Sequence, residues 1–430
     1  TDGLSEELIN VLSRNPELKV IGRTSSFSFK GKNEDLRTIG KKLGVGTLLE
    51  GSVRKEGKQI RITAQLIKAA DGFHLWSQDY DREMKDLFAV QDEIAASVAN
   101  ALNVALLEKH NQYKPKPEAY NAYLQGRYFM NRGRSNKLEF QKAKQYLQEA
   151  VQLDPNFSDA WVGLADYNFI IQQYVPVKDP NVLYETARQY IQKALQLDPT
   201  SATALTSLAT LQMMPDFNWK AAETSLDRAR SLYPENPFVL RRSAELDTAL
   251  GNTNEAIKLV QHSINLDPLV VQAHLILGIY CYDAGRFNEA ETAFKKVIEL
   301  FPERTGTHSW LGQVYLAQSK LPAARAEMES EQEERLQLHG LALVDHAAGN
   351  ENEANRTLDQ LIQKYQTGID FEIGELYAYR GQNDKAFEWL ERAYEQHDGS
   401  LLRIKTDPLF RNLHHDPRWP KFLKKMNLPA

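Results

Sequence analysis

Between Phe238 and Pro302 the chain reads FVLRRSAELDTALGNTNEAIKLVQHSINLDPLVVQAHLILGIYCYDAGRFNEAETAFKKVIELFP. In this stretch Ala256 leads to Pro268, and Ala290 to Pro302, across the same twelve-residue step. Gly278, preceded by Leu277, stands twelve residues before Ala290, and Phe294 stands four after it. The spacing predicts two helices joined by a short turn. Small residues at Gly278 and Ala290 let the helix backbones approach where they cross. Phe294 and Val297, three apart, set an apolar stripe against the first helix. Asp267-Pro268 and Phe301-Pro302 end each hairpin, because proline disfavours helix in the residue before it and donates no hydrogen bond. A single hairpin cannot bury its apolar face, so the pattern requires further copies.

The copies are present. An alanine followed twelve residues on by proline recurs as Ala143 and Pro155, Ala187 and Pro199, and Ala222 and Pro234, so that successive prolines lie 44, 35, 34 and 34 residues apart. Later units drop the proline and keep the interior: Leu311-Gly312 with Tyr315 and Ala324; Leu341-Ala342 with Gly349, Ala354 and Leu358; Gly374 with Tyr377, Gly381, Ala386 and Leu390. These phased residues resemble the tetratricopeptide (TPR) repeat, whose period is about 34 residues. The resemblance implies a right-handed α-α superhelix of eight repeats over roughly residues 118–396.

Composition bounds the function. The chain has 430 residues, 42% hydrophobic and 25% charged, and 52 Lys+Arg against 57 Asp+Glu give a net charge of −5. That balance argues against a nucleic-acid-coating surface. No apolar run approaches the roughly 18 residues that would span a bilayer, and no signal peptide is visible. These features read as a soluble segment, cytoplasmic before periplasmic, without membrane insertion. The chain opens at Thr1-Asp2 and not at Met, as an excised portion of a longer protein would. Cys281, the one cysteine, falls at a buried repeat position and reads as a small hydrophobe, not a nucleophile.

The first hundred residues change character. Residues 3–14 place Leu4, Leu8, Val11 and Leu12 on one helical face, Lys19 to Gly22 reads as a short strand, and Arg23 to Phe27 as a loop. A second helix over Asp35 to Leu43 is stopped by Gly44. Strands follow over Leu48 to Lys55, Lys58 to Lys68 and Phe73 to Tyr80, turning at Glu56-Gly57 and Asp71-Gly72. In the second strand Ile60, Ile62, Ala64 and Leu66 alternate with Arg61, Thr63 and Gln65, so the meander has one buried face. A long helix from about Asp86 carries Leu87, Val90, Ile94, Val98, Ala101 and Ala105 as its stripe.

Several dispersed blocks here resemble the TolB amino-terminal-like domain: Gly3 to Leu8, Arg23-Thr24-Ser25-Ser26, Leu49 to Arg54, Arg61 to Leu66, and His74-Leu75-Trp76-Ser77 through Tyr80-Asp81-Arg82. In bacteria that domain commonly precedes TPR repeats. It is often attached downstream of class III adenylate/guanylate cyclase domains or of membrane-bound winged-helix regulators of the CadC type. The family's opening strand is missing, which leaves a sheet edge that a second copy could fill as a homodimer. The expected organisation is an α/β domain over 1–112, a TPR array over 113–396 entered through Lys114-Pro115-Lys116-Pro117, and a capping segment over 397–430. The tail, with Asp407-Pro408-Leu409-Phe410 and Asp416-Pro417-Arg418-Trp419, resembles the closing segment of such proteins and is expected to cover the last repeat.

No catalytic, cofactor-binding or metal-ligating set emerges. Gly40 to Gly46 sits at the end of a helix leading into a strand, the reverse of the order a phosphate loop needs, and reads as a capping turn. His414-His415-Asp416 lacks the further ligands of a metal site. The carboxylates of Glu6 and Glu7, or of Asp79 and Asp81, read as solvated charges. What remains is the concave wall. The family's groove-facing positions, laid on this chain, fall on Tyr123, Arg127 and Met130; Val162, Asp166 and Phe169; Arg241, Glu245 and Thr248; and Leu275, Ile279, Tyr282 and Asp283. Aromatic and arginine side chains on a curved surface suit a peptide or protein ligand, and the same positions also serve packing between repeats. The Lys/Asn clamp for a C-terminal carboxylate is not visible. The expected function is a non-enzymatic interaction scaffold in bacterial signalling. A small-molecule sensor, or an enzyme with its site near Arg23, Arg54, His74 and Trp76, is the alternative.

Overall fold

The computed structural model describes residues 5, 8–9, 11–13, 18–32, 34–56, 59–83, 87–102, 113–132, 137–171, 180–365 and 368–429. Half of the residues of the helix expected over 3–14, and Gly57 of the 56–57 turn, lie outside them. Two units are distinguished: Thr1–Leu211 with Asp227–Val239 and Asn265–Leu269, and Gln212–Leu226 with Leu240–Ile264 and Val270–Ala430.

In the first unit, three antiparallel strands, β1 (Thr47–Glu56), β2 (Gln59–Lys68) and β3 (His74–Glu83), form a sheet in the order β1-β2-β3. The register sets Gly51 opposite Ala64 and Ile62 opposite Tyr80. Ile60, Ile62, Ala64, Leu66 and Tyr80 are buried together with Val90, Ile94 and Val98 of the helix Leu87–Ala101. The alternating side chains point the other way, where Arg61 donates to both carboxylate oxygens of Asp81 at 2.6 and 2.9 Å. The helix Leu36–Leu43 starts at Asp35, whose carboxylate accepts the Thr38 N–H at 3.3 Å, and stops at Gly44, left-handed at φ 67°.

The segment around residue 20 differs from expectation. Residues 18–22 join no strand ladder, and Arg23–Phe27 forms a short helix in place of a loop. The cause is a distant partner that local patterning does not reveal. The Gly22 N–H donates to the Leu266 carbonyl at 3.2 Å, the Ser25 N–H to the Asp267 carboxylate at 3.0 Å, and the Leu269 N–H to Ser25 Oγ at 2.8 Å. Leu269 packs with Ile21, Ile39 and Leu43. A Cβ added at Gly22 would overlap the Asp267 carboxylate, which explains the glycine. Asp267→Ala leaves the buried Ser25 N–H unsatisfied, and urea unfolding is expected to show a loss of about 1–3 kcal/mol. A loss near zero would mean that this clasp contributes nothing to stability.

Eight helical pairs follow among the described residues. They run Pro117–Arg132 with Lys137–Leu153, Ser158–Ile171 with Pro180–Leu197, Ala202–Met213 with Trp219–Leu232, Pro237–Leu250 with Thr253–Leu266, Val271–Asp283 with Phe287–Leu300, Thr307–Ala317 with Leu321–Ser330, Glu334–Ala347 with Glu351–Lys364, and Asp370–Tyr379 with Asn383–Glu395. Each phased alanine, from Ala143 through Ala187, Ala222, Ala256, Ala290, Ala324 and Ala354 to Ala386, is 0% exposed. The close approach at Gly278 is equally plain: a Cβ there would stand 2.5–2.8 Å from the Phe294 ring.

Candidate functional site

The first helix of each pair supplies the expected wall positions. In the first unit Tyr123, Arg127, Asp166 and Phe169 are half-buried, while Met130 and Val162 are buried. The Tyr123 ring meets Phe157 edge-on at 5.0 Å, and Arg127 lies over the same ring and donates to its hydroxyl at 3.2 Å. Asp166 accepts the Ser207 hydroxyl at 3.0 Å, and Phe169 packs beside Ala165, Ala187 and Ile191. Each polar position thus already has a structural contact within or between repeats.

In the second unit Arg241 donates to Ser263 Oγ at 3.0 Å, and Glu245 accepts from Arg242 at 2.6 Å. Thr248 is buried with its hydroxyl on the Ala244 carbonyl at 3.0 Å. Ile279 is half-buried, whereas Leu275, Tyr282 and Asp283 are buried. Part of what covers Asp283 is the C-terminal segment, which consists of short turns at Gly399–Arg403 and Pro408–Leu413 and the helix Trp419–Lys425.

Arg403 is the centre of that contact. Its Nε and Nη2 donate to the two oxygens of Asp283 at 3.1 and 2.6 Å, and Nη2 also stands 2.9 Å from Asp407. The guanidinium lies 4.6 Å from the centre of the Trp310 ring, which stacks on Phe294 at 6.2 Å. Thr406 adds its hydroxyl to Asp283 at 3.2 Å. Glu375 lies beside Asp407 and stands 3.0 Å from His339. Asp283, Trp310, His339 and Glu375 come from the first helices of the fifth, sixth, seventh and eighth pairs.

Electrostatics follow from that burial. Three carboxyl groups surround one guanidinium, and burial pushes both Glu375 and Asp407 up to about 7 despite the favourable field of Arg403. Burial likewise raises Asp283 against the pull of Arg403 and lowers His339 to about 4, so His339 is neutral at pH 7. Burial alone would lower Arg403, but Asp283 and Asp407 more than reverse this.

Further along, Phe410 meets Phe371 edge-on at 5.1 Å, and Asn412 donates to the Ala378 carbonyl at 3.0 Å. Lys405 donates to the carbonyls of Leu250 (3.3 Å) and Pro429 (2.9 Å). Trp219 Nε1 donates to the Met426 carbonyl at 2.7 Å, and Asn427 to the Phe217 carbonyl at 3.3 Å. Beside these contacts lies an open depression of about 500 Å³, lined by Asp216, Phe217, Trp219, Lys220, Leu250, Asn427 and others.

The remaining candidate chemistry has structural roles. Gly44 is a helix stop; the His414 ring rests 4.8 Å from Trp419; and Arg418 holds the Asp416 carboxyl well below the usual range. Cys281 is 0% exposed, and burial pushes its thiol up to about 12. Sheet register pairs Arg54 with Arg61 at one end and His74 with Ile67 at the other, so these two do not converge. Among the described residues no group of three or more His, Cys, Asp or Glu could hold a metal ion, and no helix is long and apolar enough to cross a membrane.

The helical pairs can be set beside known proteins. A family model described as tetratricopeptide repeat matches residues 242–305 and 282–335. The chain carries TPR repeats. A protein of Rhizobium meliloti (strain 1021) with the name "Putative adenylate cyclase 3" is 39% identical over 169 residues, covering 38% of this chain. The matched part spans 28% of that relative's length. Similar solved structures include pilF of Pseudomonas aeruginosa, at 19% identity and TM-score 0.39, covering 51% of this chain and 96% of that one. A tetratricopeptide repeat protein from Parabacteroides merdae gives 16%, 0.42, 63% and 100%, and the human IFIT1 dimer with m7Gppp-AAAA gives 14%, 0.46, 74% and 78%.

Arg403, Trp310, His339 and Glu375 were not singled out by sequence reasoning. Asp407-Pro408 marked a turn, but nothing in the repeat phase announces which wall the tail meets.

Proposed function

We propose that this chain is a non-enzymatic docking module in which the concave TPR wall binds a peptide or protein segment. The carrying observation is that the first helices of the later repeats already hold a segment of the chain's own C-terminus, folded as short turns and seated by Arg403 on Asp283. Stacked repeats present such curved surfaces for recognition, and affinity comes from a few buried aromatic and arginine anchors. Within the first unit the anchors are Tyr123 and Arg127, joined by Asp166 and Phe169. A bait carrying Tyr123→Ala and Arg127→Ala is expected to capture its partner at least about tenfold more weakly than the wild-type chain, a difference of about 1.4 kcal/mol. Equal capture would remove these residues from the docking surface.

The α/β module is read as TolB amino-terminal-like on its Arg23-Thr24-Ser25-Ser26 and Leu49-to-Arg54 blocks. The 39% identity with a protein named as an adenylate cyclase supports placing the chain in the regulatory part of a cyclase-linked bacterial signalling protein. On this reading, fusion to a cyclase domain places the module on the cytoplasmic side. A genomic reading frame that continues upstream of Thr1 into a cyclase domain is the expected result; an upstream stop codon would remove the cyclase link.

A further inference from the structure

We propose that the wall formed by the first helices of the fifth to eighth repeats is a peptide site occupied in cis by residues 398–413 of the C-terminal segment. The segment it accepts in trans carries an arginine followed four residues later by Asp-Pro-x-Phe. This deepens the docking reading and rests on it. Its test follows the tail alone, so failure here leaves capture through Tyr123 and Arg127 untouched.

Three observations carry it. First, the seat for arginine is fully built: the fork of Arg403 takes both oxygens of a carboxylate whose side chain is 0% exposed, while its plane lies 4.6 Å from the centre of the Trp310 ring. Only guanidinium combines a planar fork with a stacking face, so lysine is a poor substitute.

Second, the spacing of the tail is read as a unit. Asp407, four residues after Arg403, closes back on the same guanidinium and meets Glu375, and Phe410 then seats against Phe371. Arg403 of the tail answers Asp283 of the wall, and the same guanidinium offsets the tail's Asp407 where it faces the wall's Glu375.

Third, the segment is built of short pieces, which meet one another where Trp419 lies 6.4 Å from Phe410 and 4.8 Å from His414. Its turns are five and six residues long and its helix seven, far short of what holds together alone. Leu401, Ile404, Phe410 and Leu413 are nevertheless 0% exposed, and Phe410 rests edge-on against Phe371 of the wall. A stretch ordered by the surface beneath it behaves as a bound peptide does. It is joined to the last repeat through His397, a non-glycine residue in the left-handed region at φ 53°.

The experiment places a protease recognition site at Gln396-His397 in the full chain and cuts it. Retention of the tail is followed by size-exclusion chromatography, and exchange with a fluorescent peptide of residues 398–429 by anisotropy. The cut tail is expected to co-elute, and the labelled peptide to replace it saturably. Unlabelled peptide carrying Arg403→Ala is expected to compete at least about 100-fold more weakly, and Arg403→Lys at least about tenfold. Equal competition by the alanine peptide would overturn the proposal. So would aggregation of the cut chain in place of exchange, since an integral core segment behaves that way.

Discussion

Arg403→Ala is expected to lower the unfolding free energy of the chain by about 3–5 kcal/mol, the cost of removing one partner from a buried ion pair. The reason is the company Arg403 keeps. Asp283, Asp407 and Glu375 are all buried around it, and without the guanidinium they form an uncompensated group of carboxyls. The loss should also depend on pH. Burial raises Glu375 and Asp407 to about 7, above their unfolded values near 4. The stability that such groups contribute is fully present below about pH 4 and is lost as pH rises through about 7. Removing Arg403 raises these groups further, so the variant should fall further behind wild type at pH 8 than at pH 5. His339, lowered to about 4, works in the opposite direction, but it is common to both proteins and largely cancels in the difference. Urea unfolding at the two pH values checks both statements. A loss below about 1 kcal/mol at pH 8 would show that the cluster is not held by this residue.

Phe294→Ala is expected to cost about 3–5 kcal/mol, through lost apolar contact and the cavity left behind. Its ring is 0% exposed, fills the space that Gly278 leaves open, and stacks against Trp310 with planes 10° apart. Trp310 carries Arg403 within stacking distance, so the same substitution should loosen the tail. Hydrogen exchange across residues 398–413 is expected to quicken in this variant. An unfolding loss under about 1 kcal/mol, with unchanged exchange, would contradict the packing described here.

The parts of the fold that could be read from sequence are those that repeat. Ala256, Ala290 and their equivalents meet the same kind of neighbour in every pair, so the spacing of small residues and prolines states the packing directly. The three-stranded meander was legible for a similar reason: Ile60, Ile62, Ala64 and Leu66 alternate because one face of β2 is buried. Contacts made once leave no such trace. Gly22 and Ser25 owe their conformation to Leu266, Asp267 and Leu269, more than 240 residues away, and a strand-like run therefore became an extended segment feeding a short helix. The tail is the larger case. Family spacing put Tyr282 and Asp283 on the concave wall; the structure has them buried, Asp283 beneath Arg403, 120 residues later in the chain. A salt bridge between two singular residues has no periodicity to reveal it.

Arg403 and Asp283 act as a unit that fastens the tail to the wall. A double-mutant cycle of Asp283→Ala, Arg403→Ala and the pair, followed by urea unfolding, tests it most directly. Arg403→Ala strands Asp283 together with Asp407, and Asp283→Ala leaves Arg403 with Asp407 in place of two partners, whereas the double change leaves neither of the two facing a lost partner. The double variant is therefore expected to be no less stable than the weaker single variant, with a coupling of about 2–3 kcal/mol. Losses that simply add, with coupling near zero, would contradict the account.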